Sequence, residues 1–145
     1  MSLDRIRDER GFTLFEILIV MLIIGILAAI ALPTLDNQRK NGQDSEAKYN
    51  AGSMLREVES CFTETEDYGE CETGDPKMSD TRIPEGSNPG QTRVISDGPR
   101  DYVVESYSRS GNVFRMVKVT GREPVRSCSV AVGGARGGCK SDSSW

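Results

Sequence analysis

Gly11-Phe12-Thr13-Leu14-Phe15-Glu16-Ile17-Leu18-Ile19-Val20, continued by an apolar run to Leu32-Pro33, is the stretch that decides how this chain is organised. From Phe12 to Leu32 only Thr13, Glu16 and Gly25 are not apolar. About 20 apolar residues cross a bilayer as a helix, so the run predicts one membrane-length helix. The segment before it, residues 1–11, is short and polar, with Arg5, Arg7 and Arg10 offset by Asp4, Asp8 and Glu9. Basic residues ahead of a lone apolar span keep that end in the cytoplasm, which places the remainder of the chain outside. Glu16 is the anomaly in the run. A carboxylate costs about 2.5 kcal/mol or more near a bilayer centre and less near the interface. It is either an interfacial group reaching the headgroups or a carboxylate kept for a cationic partner.

Away from this block the composition changes. Of 145 residues, 37% are apolar and 28% charged, and 15 are glycine. Outside the apolar run the chain is polar and glycine-rich, and the part of it expected to pack as a globule, roughly 80–90 residues, has a small core, a size at which covalent staples are common. The chain has no histidine, which excludes a Ser-His-Asp or Cys-His nucleophile and histidine-ligated zinc. No enzyme activity, cofactor or metal is expected. The net charge of −4 argues against nucleic-acid binding by the chain as a whole. Cys61, Cys71, Cys128 and Cys139 form no C-x-x-C pair. An even count in a loop-rich domain behind an apolar leader predicts two disulfides outside the cytoplasm. Four cysteines allow three pairings; Cys61–Cys71 and Cys128–Cys139 are favoured because each closes a short polar loop.

After Pro33, which removes a helix hydrogen bond and crowds the carbonyl of Ala29, the pattern becomes amphipathic. Ala47, Ala51, Met54, Leu55, Val58 and Cys61 recur at helical spacing, predicting a helix over 34–61 with one apolar face. Residues 62–91 read as loop. Their carboxylates Glu64, Glu66, Asp67, Glu70 and Glu72 lack EF-hand spacing and read as a solvated acidic face. Strands are predicted at Arg93–Ser96, Tyr102–Ser108, Val113–Thr120 and Val125–Val132, with a hairpin turn at Ser110-Gly111-Asn112. Residues 92–145 thus hold an antiparallel sheet and a C-terminal loop. The sheet needs one covered face, and the amphipathic helix is the available cover. The fold class is α+β. Gly133-Gly134-Ala135-Arg136-Gly137-Gly138 lacks the following helix that a phosphate loop requires, and reads as a disulfide-closed loop. Arg136, Lys140 and Trp145 near its end could touch DNA or a surface.

Three readings compete for the N-terminus: a plain signal anchor, a secretory signal peptide cut after Ala31 within Ala29-Ile30-Ala31, and a prepilin. The leader ending in Gly11, the following Phe-Thr-Leu-x-Glu, the long apolar helix, and Gly25 and Pro33 within it together resemble the type IV pilin signature, over roughly residues 5–35. The resemblance implies a ladle-like fold: a long N-terminal helix whose second half packs on a small disulfide-stapled sheet of three to four strands. It implies a leader, 1–11, removed by a prepilin peptidase between Gly11 and Phe12, and methylation of the Phe12 amine. It implies a membrane and filament-core helix over 12–33 and a globular domain over 34–145. Glu16 would pair with the Phe12 amine of a neighbouring subunit, and Gly25 and Pro33 would mark a helix break on assembly. The implied function is a structural subunit polymerising into a pilus for adhesion, motility or DNA uptake. The subunit would wait in the inner membrane with its leader inside, then enter an extracellular filament of identical copies. A pseudopilin of a secretion or DNA-uptake apparatus shares the same signature, and a secreted binding module remains the reading of a different class.

Overall fold

In a computed structural model, residues 12–78 and 81–145 are described. The chain divides into two compact units, one ending at Asp36 and the other Asn37–Trp145. One helix, α1 (Leu14–Thr65), contributes to both. It runs past Cys61, so residues 62–65, read as loop from the sequence, are helical. Thr63 and Thr65 donate their hydroxyls back to the carbonyls of Ser60 and Cys61, and Phe62 stacks on Tyr68 at 4.2 Å between ring centroids. These contacts offset the poor helix propensity of a polar run. The helix stops where Glu66 takes a φ of 59°, a left-handed conformation that cannot continue it.

In the second unit four strands form a sheet in the order β1 (Thr92–Ser96), β2 (Tyr102–Tyr107), β3 (Val113–Lys118) and β4 (Val125–Ser129), every neighbour antiparallel. The last three end one to three residues before the sequence-predicted limits, because turns claim the backbone first: Ser108 donates its N–H to the Asn112 carbonyl and Arg122 donates to that of Val119. The inner face presents Val94, Val104 and Met116, and Tyr102 and Phe114 with them, to the buried stripe Ala47, Ala51, Met54, Val58 and Cys61 of α1. The helical period therefore aims an apolar face at a strand-period face, which is what holds a small two-layer domain together. Two disulfides close the loops at either end, Cys61–Cys71 and Cys128–Cys139.

Several polar groups are built into this core. Glu59 of α1 accepts hydrogen bonds from the phenols of Tyr68 (2.9 Å) and Tyr102 (2.7 Å). Burial and then the Glu59 hydrogen bond push the Tyr68 phenol up to about 12, and the same causes raise Tyr102. Asp44, fully buried one turn before Ala47, accepts from Asn112 Nδ2 at 2.8 Å and from the Ser110 hydroxyl. Asn112 also donates to the Ala135 carbonyl and accepts from the Ala131 N–H. Lys48 donates to the Gly137 carbonyl and lies over the Phe114 ring. The C-terminal disulfide loop is thereby latched to α1 through the hairpin turn. Gly137 makes the latch possible: it has a φ of 54°, and a Cβ there would collide with the Asp44 carboxylate.

Both sheet edges are covered. Along β1, Thr92 exchanges backbone hydrogen bonds with Pro84 and Gly86, the Val94 N–H donates to the Thr73 hydroxyl while its carbonyl accepts from the Thr73 N–H, and Ser96 donates to the Glu72 carboxylate at 2.8 Å. Along β4, Cys128 donates to the Ser143 carbonyl at 2.7 Å and the Trp145 indole donates to that of Ser127. Covered edges block strand addition between copies. Glu72, read from the sequence as part of a solvated acidic loop, is thus an edge clamp. Glu70 pairs with Lys77, and Asp67 caps the 3-10 turn Tyr68–Glu70.

Two predictions follow from this packing. Gly137→Ala suffers both the backbone strain of a positive φ, roughly 1–2 kcal/mol, and the clash with Asp44. Gly133→Ala, with a φ of 71° but open space at the Cβ position, suffers only the first. Thermal melts of the full chain in detergent are expected to lower Tm more for Gly137→Ala; equal losses would mean the latch is not tight. The second concerns acid. The hydrogen bonds from Ser96 hold the Glu72 carboxyl below the usual range. For Glu105, burial would raise the carboxyl, but hydrogen bonds from Tyr107, Arg93 and Arg115 together lower it. Folded-state values below the unfolded ones stabilise the protein above the ordinary carboxylate range and lose that contribution as pH falls below it. Tm is therefore expected to drop between pH 5 and pH 3, and less steeply for Glu72→Gln. Parallel Tm–pH curves for the two proteins would contradict the clamp.

Candidate assembly surface

The first unit contains the residues that the sequence singles out for assembly. Gly11 and the rest of 1–11 lie outside the described residues. Phe12 is 76% exposed. Thr13 caps α1: its hydroxyl accepts from the Glu16 N–H, and Glu16 Oε2 accepts in return from the Thr13 N–H and hydroxyl, all at 3.2 Å. This is a reciprocal capping box, in which two orphan donors of the first turn are satisfied by each other's residue. A cap of this kind is worth about 1 kcal/mol, and a carboxylate in the first turn also suits the helix dipole. Sequence reading gave Glu16 a role across subunits and missed this one within the subunit. The signal was present, since Thr13-Leu14-Phe15-Glu16 has the T-x-x-E spacing that precedes an apolar run. Both Thr13 contacts fall on Oε2; Oε1 accepts no hydrogen bond among the described residues.

Beyond the cap, every residue from 12 to 39 is exposed. Leu14, Phe15, Leu18, Met21, Leu22 and Leu27 are each more than half exposed. Among the described residues, α1 is the one helix long and apolar enough to cross a bilayer. The helix is unbroken through Gly25 and Pro33 in this single subunit; the break at these two positions is expected only on assembly, and a single subunit is expected to stay helical there. Proline deletes one rung of the ladder, and the rungs on either side persist. The Thr34 hydroxyl donates to the Ala31 carbonyl at 2.8 Å just beside the gap. Gly25 has nothing within 4 Å of a Cβ position, so no packing within the subunit requires a glycine there. Ala29-Ile30-Ala31 also lies inside this helix, whereas a signal-peptide cut needs accessible, extended backbone.

The other candidate surface, Arg136, Lys140 and Trp145, is not one exposed patch. Trp145 packs edge-on against Phe114 at 5.6 Å and lies beneath the Arg126 guanidinium. Arg136 donates to the carbonyls of Cys139 and Lys140. Arg136 and Trp145 thus take part in closing the C-terminal loop; Arg136 and Lys140 are exposed, whereas Trp145 is half-buried. Trp145 was read from the sequence as a tail residue; its packing partner lies 31 positions away in β3, where no local pattern could reveal it.

The family model for the prokaryotic N-terminal methylation motif matches residues 6–32. A type IV major fimbrial protein, FimA, of Dichelobacter nodosus is 42% identical over 66 residues, 46% of this chain and 42% of that protein. The type IV major pilin protein PilA of Myxococcus xanthus is 44% identical over 62 residues, 43% of this chain and 28% of that protein. The chain therefore spans less than half the length of either. The fimbrial protein EcpB of Eikenella corrodens is 32% identical over 127 residues, 86% of this chain and 76% of that protein. No solved structure matches the chain significantly. A likeness to EcpB that runs through the sheet as well as the helix, on a capped apolar helix joined to a four-stranded, twice-stapled domain, makes this chain a member of the type IV pilin family.

Proposed function

We propose that this chain is a structural subunit of a type IV pilus, polymerising through the apolar half of α1 into an extracellular filament of identical copies. The observation that carries this reading is the unbroken exposure of residues 12–39. Fully burying one Leu, Ile or Phe side chain is worth about 1.5–3 kcal/mol relative to water. A run of this length left in water is therefore untenable, and membrane and neighbouring helices are its two natural covers. The relatives named as major fimbrial and major pilin proteins favour this over a secretion-apparatus subunit or a secreted module.

In this reading a prepilin peptidase cuts between Gly11 and Phe12 and the new amine is methylated. Before assembly the subunit sits in the inner membrane with its leader inside. On assembly the Phe12 ammonium of one copy meets Glu16 of another. Thr13 occupies Oε2, so Oε1 is the oxygen offered to the incoming cation. A buried pair need not add much stability, but an unpaired member is costly, so the pair selects the register in which a subunit docks. Gly25 and Pro33 bracket the stretch that extends when lipid is exchanged for neighbouring helices.

Two measurements test this. Edman or mass-spectrometric sequencing of the mature protein is expected to begin at methylated Phe12; a start at Leu32 would support the secreted module and reject the proposal. Glu16→Gln and Glu16→Val separate charge from cap, because glutamine can still accept from the Thr13 N–H but cannot neutralise an amine. Both variants are expected to lose filaments at least tenfold, as for a cost above about 1.4 kcal/mol per docking step. Recovery of filaments by Glu16→Gln alone would assign Glu16 to capping only.

A further inference from the structure

The outer face of the sheet, turned away from α1, carries a pattern that the fold does not use. Strand register aligns Ile95, Val103, Val117 and Val125 into one row across all four strands. Ile95 is 40% and Val125 62% exposed, and Val103 and Val117 are half-buried. A shallow cleft of about 350 Å³ lies along this row, bordered by Arg115 and Glu105 on one side and Asp97 on the other. The next row on the first side is Arg93, Glu105 and Arg115. Glu105 is almost fully buried between the two guanidinium groups, so the row has a net charge of +1. On the opposite side, the alternation of side chains puts Asp97 and Asp101 on the same face as Ile95 and Val103. Acid, apolar and base thus form three parallel bands, each about 6–7 Å from the next along the strands.

Resting on the filament reading above, we propose that this face docks on the same face of a second copy in an adjacent filament, about a two-fold axis running along the apolar row. That operation lays apolar row on apolar row. It also brings Asp97 of each copy over Arg93 of the other, and Asp101 over Glu105, whose charge the flanking Arg93 and Arg115 more than offset. The alternative axis, parallel to the strands, superposes like charges and is disfavoured. The contact is isologous, the commonest kind between identical chains. It is face to face rather than edge to edge, since both edges of the sheet are covered by the chain's own loops.

The size of the face decides where the contact matters. Four strands at about 4.8 Å spacing and five residues at about 3.3 Å give a face on the order of 300 Å² per copy. A stable pair of free subunits needs about 800 Å² per partner. A single contact is therefore weak. Along two filaments the contact repeats wherever the helical repeat turns this face towards the neighbour, and each later contact forms at high effective concentration. The expected consequence is lateral bundling of filaments, not a dimer of free subunits.

The test uses filaments sheared from cells making the full chain, wild type or Ile95→Lys/Val125→Lys, with yield measured separately from association. Equal filament yields are expected. Side-by-side filaments should be frequent in the wild type at low salt, fewer at high salt because the charge bands are screened, and at least tenfold fewer in the double variant, within the range avidity supplies. Bundling of the variant at the wild-type level, or wild-type filaments that stay apart at low salt, would overturn the proposal. If the wild type makes no filament, the filament reading fails, and pairing is read from Val117→Cys in concentrated detergent-solubilised full chain. The two-fold axis sets each position 117 against its own counterpart. Disulfide formation traps even the brief encounters that a weak contact allows, so a cross-link between copies well above that of a Ser45→Cys control would keep the face pairing, and none above the control would reject it.

Discussion

An apolar helix surface left uncovered among the described residues is the constraint on which the rest of this structure depends. Residues 12–39 are exposed throughout, and water is not a tolerable solvent for them. Lipid tails are about as apolar as leucine, so moving such a helix from a bilayer into a bundle gains little hydrophobic free energy. What can distinguish the two environments is packing and the few polar groups in the run. Glu16 is the strongest of these. Its capping bonds to Thr13 keep the first turn formed while the subunit waits, and the carboxylate retains one oxygen for a cation. The cap is thus compatible with the proposed intermolecular pair, since both call for an anion at a helix N-terminus.

For a subunit that polymerises as proposed, the second unit answers a different requirement: it must not associate by the wrong surface. A protein that polymerises at high local concentration is exposed to sheet-edge pairing. Here Glu72, Thr73, Pro84 and Gly86 line one edge, and Ser143 and Trp145 cover the other. The C-terminal loop is held by Asp44, Lys48 and Asn112 as well as by its disulfide. Each latch residue reaches across the domain, so the loop, the hairpin turn and α1 are stabilised as one body. In the proposed reading, association is left to the helix and to the banded outer face.

Much of this was legible in the sequence wherever a periodic signal carries it. The helical spacing of Ala47 to Cys61 identifies the buried face, and Tyr- and Val-rich runs between turn signals identify the central strands over Tyr102–Tyr107 and Val113–Lys118. The short polar loops favoured the disulfide pairs that the structure contains. Polar partnerships were not legible. Asp44 and Asn112 are 68 positions apart, and Glu59 and Tyr102 are 43 apart. A carboxylate on an amphipathic helix reads as solvated until the tertiary fold brings donors to it. Glu72 escaped for the same reason, its partner Ser96 lying 24 residues away. The Thr13–Glu16 cap is the exception, a local motif that was visible but overshadowed by the larger pattern containing it. The bands of the outer sheet face emerge only once register fixes which residues of four strands stand side by side.

The central claim is that copies of this chain cover one another's apolar helices. A nitroxide label at Ile23→Cys, a position half exposed in the single subunit, reads this directly. In assembled filaments the account predicts strong dipolar broadening between labels on neighbouring copies and protection from a water-soluble relaxation agent. In dilute detergent the broadening should vanish. A label in filaments that is unbroadened and open to the aqueous agent would place this helix outside the filament core and contradict the account.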